Sequence, residues 1–220
     1  MPAYVISDVE GTLTEGMMWK AISAYLRAHG REGDDKAFLR RSLPGVLMYR
    51  FRLVNRRKFQ HDWIARQARL LAGFTNDELT SLSEWIIEND FWPKRRQAVI
   101  DELLEWQKKG ARLLLASGLY QPIVQAFARR LDAGNPPAVG TPLEFVNGTF
   151  TGRFAGPVSN GEEKKIRVVE IVEDQDVWAA YGDSLSDIPM LELSQLPVAV
   201  APEPELLKFA QEHNWRVLAV

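Results

Sequence analysis

Apolar residues along the chain follow two rhythms, and polar breaks mark where one gives way to the other. Ala3-Tyr4-Val5-Ile6-Ser7 is a short apolar, β-rich run that stops abruptly in Asp8-Val9-Glu10-Gly11-Thr12, the pattern of a buried strand feeding a loop. From Met17 to about Asn89 the spacing turns helical, with Trp19, Ile22, Tyr25 and Leu26 on one face and Leu79, Leu82, Trp85 and Ile86 on another. Roughly four helices are expected there, separated at Gly30, Pro44-Gly45 and Gly73, with Thr75-Asn76-Asp77-Glu78 capping the last.

After Pro93 a helix through Glu105 ends at Gly110, and Ala111-Arg112-Leu113-Leu114-Leu115-Ala116 reads as a second buried strand closing on Ser117-Gly118. A helix over 120–132, a hairpin turning at Asn147-Gly148, a helix over 161–173 and a strand over Val177–Tyr181 follow. A further helix, a strand over Val198–Val200, a helix over 203–213 and a strand over Val217–Ala219 complete the pattern. Asn147-Gly148-Thr149 also matches a glycosylation sequon, but a tight Asn-Gly turn accounts for it. Apolar strands alternating with helices predict an α/β fold, a doubly wound parallel sheet covered on both faces. The helices after the first strand then form an inserted cap, dividing the chain into a core of residues 1–14 and 91–220 and a cap of 15–90.

Charge sharpens that division. Residues 15–96 hold 16 Lys and Arg against 10 Asp and Glu, a net of +6, leaving 11 against 19, a net of −8, for the rest. The whole chain of 220 residues carries only −2, without the basic excess of a general nucleic-acid binder. Cysteine is absent and the three histidines, His29, His61 and His213, are scattered. Disulfides, zinc-thiolate centres and thiol nucleophiles are therefore excluded. No apolar stretch approaches the ~20 residues that span a bilayer, and the N-terminus lacks a secretory pattern. A cytoplasmic enzyme with no membrane or nucleic-acid partner is expected.

Ligands of open parallel sheets bind beyond the carboxyl ends of the strands, so the residues just after each strand are the candidates for chemistry. The first strand delivers Asp8 and Glu10, the second Ser117, and the strand before Gly182 delivers Asp183 with Asp187 four residues on. Carboxylates gathered so closely repel one another unless a cation lies among them. Mg²⁺ suits an all-oxygen set that also meets phosphate oxygens. A serine hydroxyl and a lysine, Lys164 or Lys165, fit a phosphoryl group.

Ile6-Ser7-Asp8-Val9-Glu10-Gly11-Thr12-Leu13-Thr14, Leu115-Ala116-Ser117-Gly118, Gly161-Glu162-Glu163-Lys164 and Tyr181-Gly182-Asp183-Ser184-Leu185-Ser186-Asp187 resemble, in order, the four motifs of the haloacid dehalogenase-like hydrolases. The insert after the first motif and the stretch from Gly148 to Lys164 resemble the phosphoserine phosphatase-like branch. The resemblance implies a Mg²⁺-dependent phosphatase of small phosphorylated metabolites. Asp8 would be the nucleophile, dividing one difficult hydrolysis into two easier steps, and Glu10 the general acid and base. Ser117 and the amide of Gly118 would hold phosphoryl oxygens, which Lys164 would neutralise. Asp8, the main-chain carbonyl of Glu10, Asp183 and Asp187 would surround the metal, with Asp187 acting through water or by bracing Lys164. Thr12 would satisfy loop amides. Glu10 stands where the commoner pattern has Asp, which moves the carboxyl outward by about one bond length.

Substrate candidates in the cap are Glu15 near the first motif and Arg50, Arg52 and Arg56 in the basic run, arginine being suited to a second anionic group. Met17, Met18 and Trp19 make the entrance more apolar than a phosphoserine site requires. The aromatic residues Trp19, Tyr25, Phe38, Tyr49, Phe51, Trp63 and Trp85 are read as helical core. Three alternatives share the same residues: a phosphotransferase passing the phosphoryl group to an alcohol, a phosphoserine-specific phosphatase, and a non-enzymatic phosphate-binding or receiver-like module.

Overall fold

The computed structural model describes residues 3–51, 53, 56–131 and 134–220, and leaves the side chains of Tyr49, Arg56, Arg57, Lys58, Gln60 and His61 outside the description. Eight strands appear there: β1 (Tyr4–Ser7), β2 (Arg112–Tyr120), β3 (Ala138–Thr141), β4 (Leu143–Val146), β5 (Thr149–Phe154), β6 (Val177–Gly182), β7 (Leu196–Val200) and β8 (Arg216–Leu218). Six of them form one sheet in the order β3-β2-β1-β6-β7-β8, every pairing parallel. Strand order reverses between β1 and β6, and the crevice beyond their carboxyl ends is where such a sheet binds ligands.

Burial on both faces explains the near-continuous apolar strands. Val5, Leu113, Leu115, Ala179, Tyr181, Val198 and Val200 point to one side. Tyr4, Ile6, Leu114, Ala116, Ala180 and Ala199 point to the other, so successive residues serve opposite layers. Helices α5 (Gln97–Lys108) and α6 (Gln121–Arg130) cover the first face, and α7 (Glu162–Val172), α8 (Ile188–Leu191) and α9 (Pro204–Glu212) lie along the return path of the chain. β4 and β5 form the expected hairpin, with positive φ at both Asn147 and Gly148, as a two-residue primed turn requires.

Between β1 and β2 come α1 (Met18–Ala28), α2 (Glu32–Arg50), α3 (Arg56–Ala68) and α4 (Asn76–Ile86). Thr75 and Glu78 form a reciprocal capping box at the start of α4. Met18, Ala21, Ile22 and Leu26 of α1 and Leu79, Leu82 and Ile86 of α4 join the same core as the first face of the sheet.

Four expectations are corrected. Helix α2 runs through Pro44 instead of stopping there; a proline removes one backbone hydrogen bond, and the contact of Phe38 with Trp63 of α3, 5.1 Å between ring centroids, holds the helix in place. Strand β2 continues through Ser117-Gly118 to Tyr120, with its register to β3 shifting after Ala116. β3 went unanticipated because Pro136-Pro137 before it and Pro142 after it read as a loop, although edge strands tolerate flanking prolines. Phe51 is no core residue, being 69% exposed, whereas Trp19, Tyr25, Phe38, Trp63 and Trp85 do pack in ring contacts.

Candidate active site

Asp8 lies one residue beyond β1, buried, with its N–H donated to the Tyr181 carbonyl of β6 at 3.0 Å. That bond ties the loop to the topological switch. The buried Lys164 donates from Nζ to Asp8 Oδ1 at 2.8 Å and to Asp187 Oδ1 at 2.6 Å, and the nearby Ser117 hydroxyl favours the ionised form of Asp8. Lys164 is thus the lysine of the site, and Lys165 is only part-buried beside it. Burial lowers the Lys164 pKa, but Asp187 and Asp8 outweigh it and leave the ammonium raised.

Asp187 is occupied at both oxygens. Oδ2 accepts from the N–H groups of Asp183 and Ser184 and from the Ser184 hydroxyl, while Oδ1 braces Lys164. Asp183 accepts one hydrogen bond, from Thr12 Oγ1 at 3.2 Å; the threonine therefore serves this carboxylate and not the loop amides expected of it. Two glycines make the close approach feasible. A Cβ on Gly11, whose φ is +90°, would fall 2.2 Å from Asp183 Oδ2, and one on Gly182 would fall 2.5 Å from the Asp187 Cβ.

One oxygen each of Asp8, Asp183 and Asp187 can lie within 4.8 Å of the others. Burial, opposed by Lys164 and reinforced by Asp187, pushes Asp8 up to about 6. Burial with the charges of Asp8 and Asp187 pushes Asp183 up to about 8. One ammonium does not neutralise the two buried carboxylates of Asp8 and Asp187 and the half-buried one of Asp183, and the donor set is all oxygen. These residues fit a hard divalent cation such as Mg²⁺.

Glu10 stands apart from that triad. Its Oε2 accepts the Met18 N–H at 2.7 Å, the first amide of α1, whose preceding residue offers no side-chain cap. The loop after β1 therefore caps α1. Burial is the main reason the Glu10 carboxyl is pushed up to about 7, the Met18 amide pulling the other way.

A cavity of about 880 Å³ opens over these groups. Asp8, Glu10, Ser117, Gly118, Lys164, Asp183 and Asp187 line its floor, and Met17, Met18, Trp19, Val46, Trp63 and Gln67 come from the insert. Glu15 borders it as expected, but its carboxylate faces Arg96 at 3.4 Å. Arg50 is exposed and is not among the lining residues, because the end of α2 turns outward with Leu47 and Met48. Arg52 and the Arg56 side chain lie outside the described residues. Trp63, read from the sequence as helical core, borders the cavity, and so do Arg96, Asn160 and Gln67, which escaped sequence reasoning because no local pattern marks residues that converge from three separate segments.

A buried carboxylate, a lysine gripping it and a carboxylate triad at the switch of a parallel sheet form an arrangement suited to phosphoryl transfer. Residues 5–192 match the family model of the haloacid dehalogenase-like hydrolases, and the chain belongs to that family; it is a phosphatase. It is 30% identical over 230 residues to the putative hydrolase ML2424 of Mycobacterium leprae (strain TN), covering 99% of this chain and 72% of that relative. It is 29% identical to the phosphoserine phosphatase SerB1 of Mycobacterium tuberculosis (strain ATCC 25618 / H37Rv), covering 99% and 70%. A crystal structure of a protein of unknown function from Bordetella pertussis Tohama I shares the fold, with a TM-score of 0.83 and 23% identity over 100% of this chain and 99% of that one.

Proposed function

We propose that the protein is a Mg²⁺-dependent phosphomonoesterase that hydrolyses a small phosphorylated metabolite through an aspartyl-phosphate on Asp8. The observation that carries this reading is the buried Asp8 carboxylate held by Lys164 beside Asp183, with Ser117 bordering the same cavity and Glu10 two residues along the same loop. Asp8, Asp183 and the main-chain carbonyl of Glu10 would hold the ion, and Asp187 supports the site through Lys164. Bound there, the cation would offset the charge of the carboxylates and of the phosphoryl oxygens.

In the first step an Asp8 oxygen forms a bond to phosphorus as the ester P–O bond breaks, and Glu10 gives its proton to the departing alkoxide. A carboxyl pushed up to about 7 is suitably protonated for that role near neutrality. In the second step Glu10 takes a proton from water, whose oxygen bonds to phosphorus, and the Asp8–phosphorus bond breaks to release phosphate. Ser117, the Gly118 amide and Lys164 hold the phosphoryl oxygens throughout.

Residues 1–14 and 91–220 act as the catalytic core in this reading, and residues 15–90 as the cap that covers the cavity and selects the leaving group. O-Phosphoserine enters as a test substrate through the name of one relative. The pairing of Glu15 with Arg96 and the apolar Met17, Met18 and Trp19 around it do not favour a zwitterion. The deciding experiment measures phosphate release from 4-nitrophenyl phosphate with Mg²⁺. Turnover abolished by chelation and by Asp8→Asn supports the reading, and turnover surviving either change refutes it.

A further inference from the structure

Among the described residues that line the cavity, two neighbours on α3 keep unpartnered polar atoms. Gln67 is fully buried. Its Nε2 donates to the Trp19 carbonyl at 2.9 Å, which fixes the amide orientation, since only the NH₂ end can face a carbonyl. Oε1 is then left buried with no hydrogen-bond partner, as is the indole Nε1 of Trp63. The two residues are four apart on one helix and so share a face, and both border the same cavity as Asp8. A buried polar atom without a partner is destabilising, a cost that a ligand removes by supplying the partner.

Around this acceptor and donor the wall is apolar: Met17, Met18, Trp19, Val46, Phe59 and Leu119. The ring of Trp63 is itself held edge-on by Trp19 at 5.7 Å and Phe38 at 5.1 Å between centroids. Tyr120 pins this helix over the site, its hydroxyl donating to the Ile64 carbonyl at 2.9 Å. At the mouth the Arg96 guanidinium faces the Glu15 carboxylate at 3.4 Å, and its Nε is a further buried donor without a partner. At about 880 Å³, the cavity is near the upper end of the ~300–1,000 Å³ range of small-molecule sites, with room for an organic group well beyond a phosphate.

We propose that Trp63 and Gln67 read the leaving group, and that the substrate is a phosphate ester of a largely apolar alcohol carrying a planar group with one hydrogen-bond donor and one acceptor, as in an amide. The ligand acceptor takes the Trp63 N–H and the ligand donor meets Gln67 Oε1. This rests on the phosphatase reading for the reaction, but not for the binding.

The test pairs two surrogates that differ in the amide alone, 4-acetamidophenyl phosphate and 4-methylphenyl phosphate, together with their free phenols. The expected result is kcat/KM at least tenfold higher for the amide ester, and a matching preference for the amide phenol in calorimetric binding. Gln67→Met and Trp63→Phe should each cut that preference at least fivefold. Equal kcat/KM and equal binding for the two surrogates in the unaltered protein would overturn the inference and leave the phosphatase reading standing, whatever the variants do. Selective binding of the amide phenol without hydrolysis of either ester would overturn the phosphatase reading and support this one. A preference that survives intact in both folded variants would assign the recognition elsewhere and overturn the proposal.

Discussion

The strand ends and the outer helices of the insert treat their side chains in opposite ways. At the ends of β1 and β6, charged groups are buried and interlocked: Lys164 bridges Asp8 and Asp187, and Asp187 in turn holds two backbone amides. Around the end of α2, apolar groups are exposed, with Leu43 at 55%, Leu47 at 52%, Phe51 at 69% and Leu53 at 72%. The inner helices α1 and α4 belong with the sheet, because they share its core. In the proposed reaction, interlocked groups would thus surround the phosphorus, and the more exposed outer helices of the insert would meet the rest of the substrate. Preorganised groups are what bond making demands, whereas a selecting wall tolerates more movement.

The comparison breaks most visibly at Asp8. Asp8→Asn should lower kcat at least a thousandfold, on the order of what losing a covalent nucleophile costs, while thermal denaturation shows an intact fold. Lys164→Met should come next, since it leaves Asp8 and Asp187 buried without their common partner. Removing one member of a buried ionic set costs about 3–5 kcal/mol, to be read in chemical denaturation.

Glu10 offers a pH test. Its folded pKa of about 7 is above the ordinary 4.5, so the folded state binds the proton more tightly than the unfolded state. The stability this contributes is complete below about 4.5 and disappears as pH rises through about 7. In metal-free protein, Glu10→Gln should flatten that part of the fall in Tm between pH 5 and pH 8. A fall identical in both proteins would show that other groups cause it.

Smaller effects distinguish the insert. Tyr120→Phe removes the hydrogen bond to the Ile64 carbonyl, worth about 1 kcal/mol, and should raise KM more than it lowers kcat because it loosens α3 and not the strand ends. Phe51→Ser should change stability by no more than about 0.5 kcal/mol, as at other exposed positions. A larger loss would show that the outer helices are packed more firmly than their exposure indicates.

Much of this was legible in the chain. The apolar runs leading to Asp8, Ser117 and Asp183 located three parallel strands, since strands buried on both faces must be continuously apolar, although Ser117 lies inside β2 and not beyond it. The four motifs carried the family. Asn147-Gly148 predicted its hairpin through backbone sterics alone. Local signals failed where neighbours decide: Pro44 sits inside a helix because α2 packs on α3, and β3 is a strand because β2 lies beside it to pair with.

The sequence by itself determined the class of chemistry, because the fold rules and the motif residues place carboxylates after two strands, a hydroxyl toward the end of a third and a lysine in the first turn of a helix. Only the tertiary structure chose Lys164 over Lys165, turned Thr12 toward Asp183, and matched Glu15 with Arg96. It also set Trp63 and Gln67 above Asp8 in one cavity. These are contacts between segments tens of residues apart, and hydrophobic periodicity reports which face of an element is buried without reporting what it is buried against.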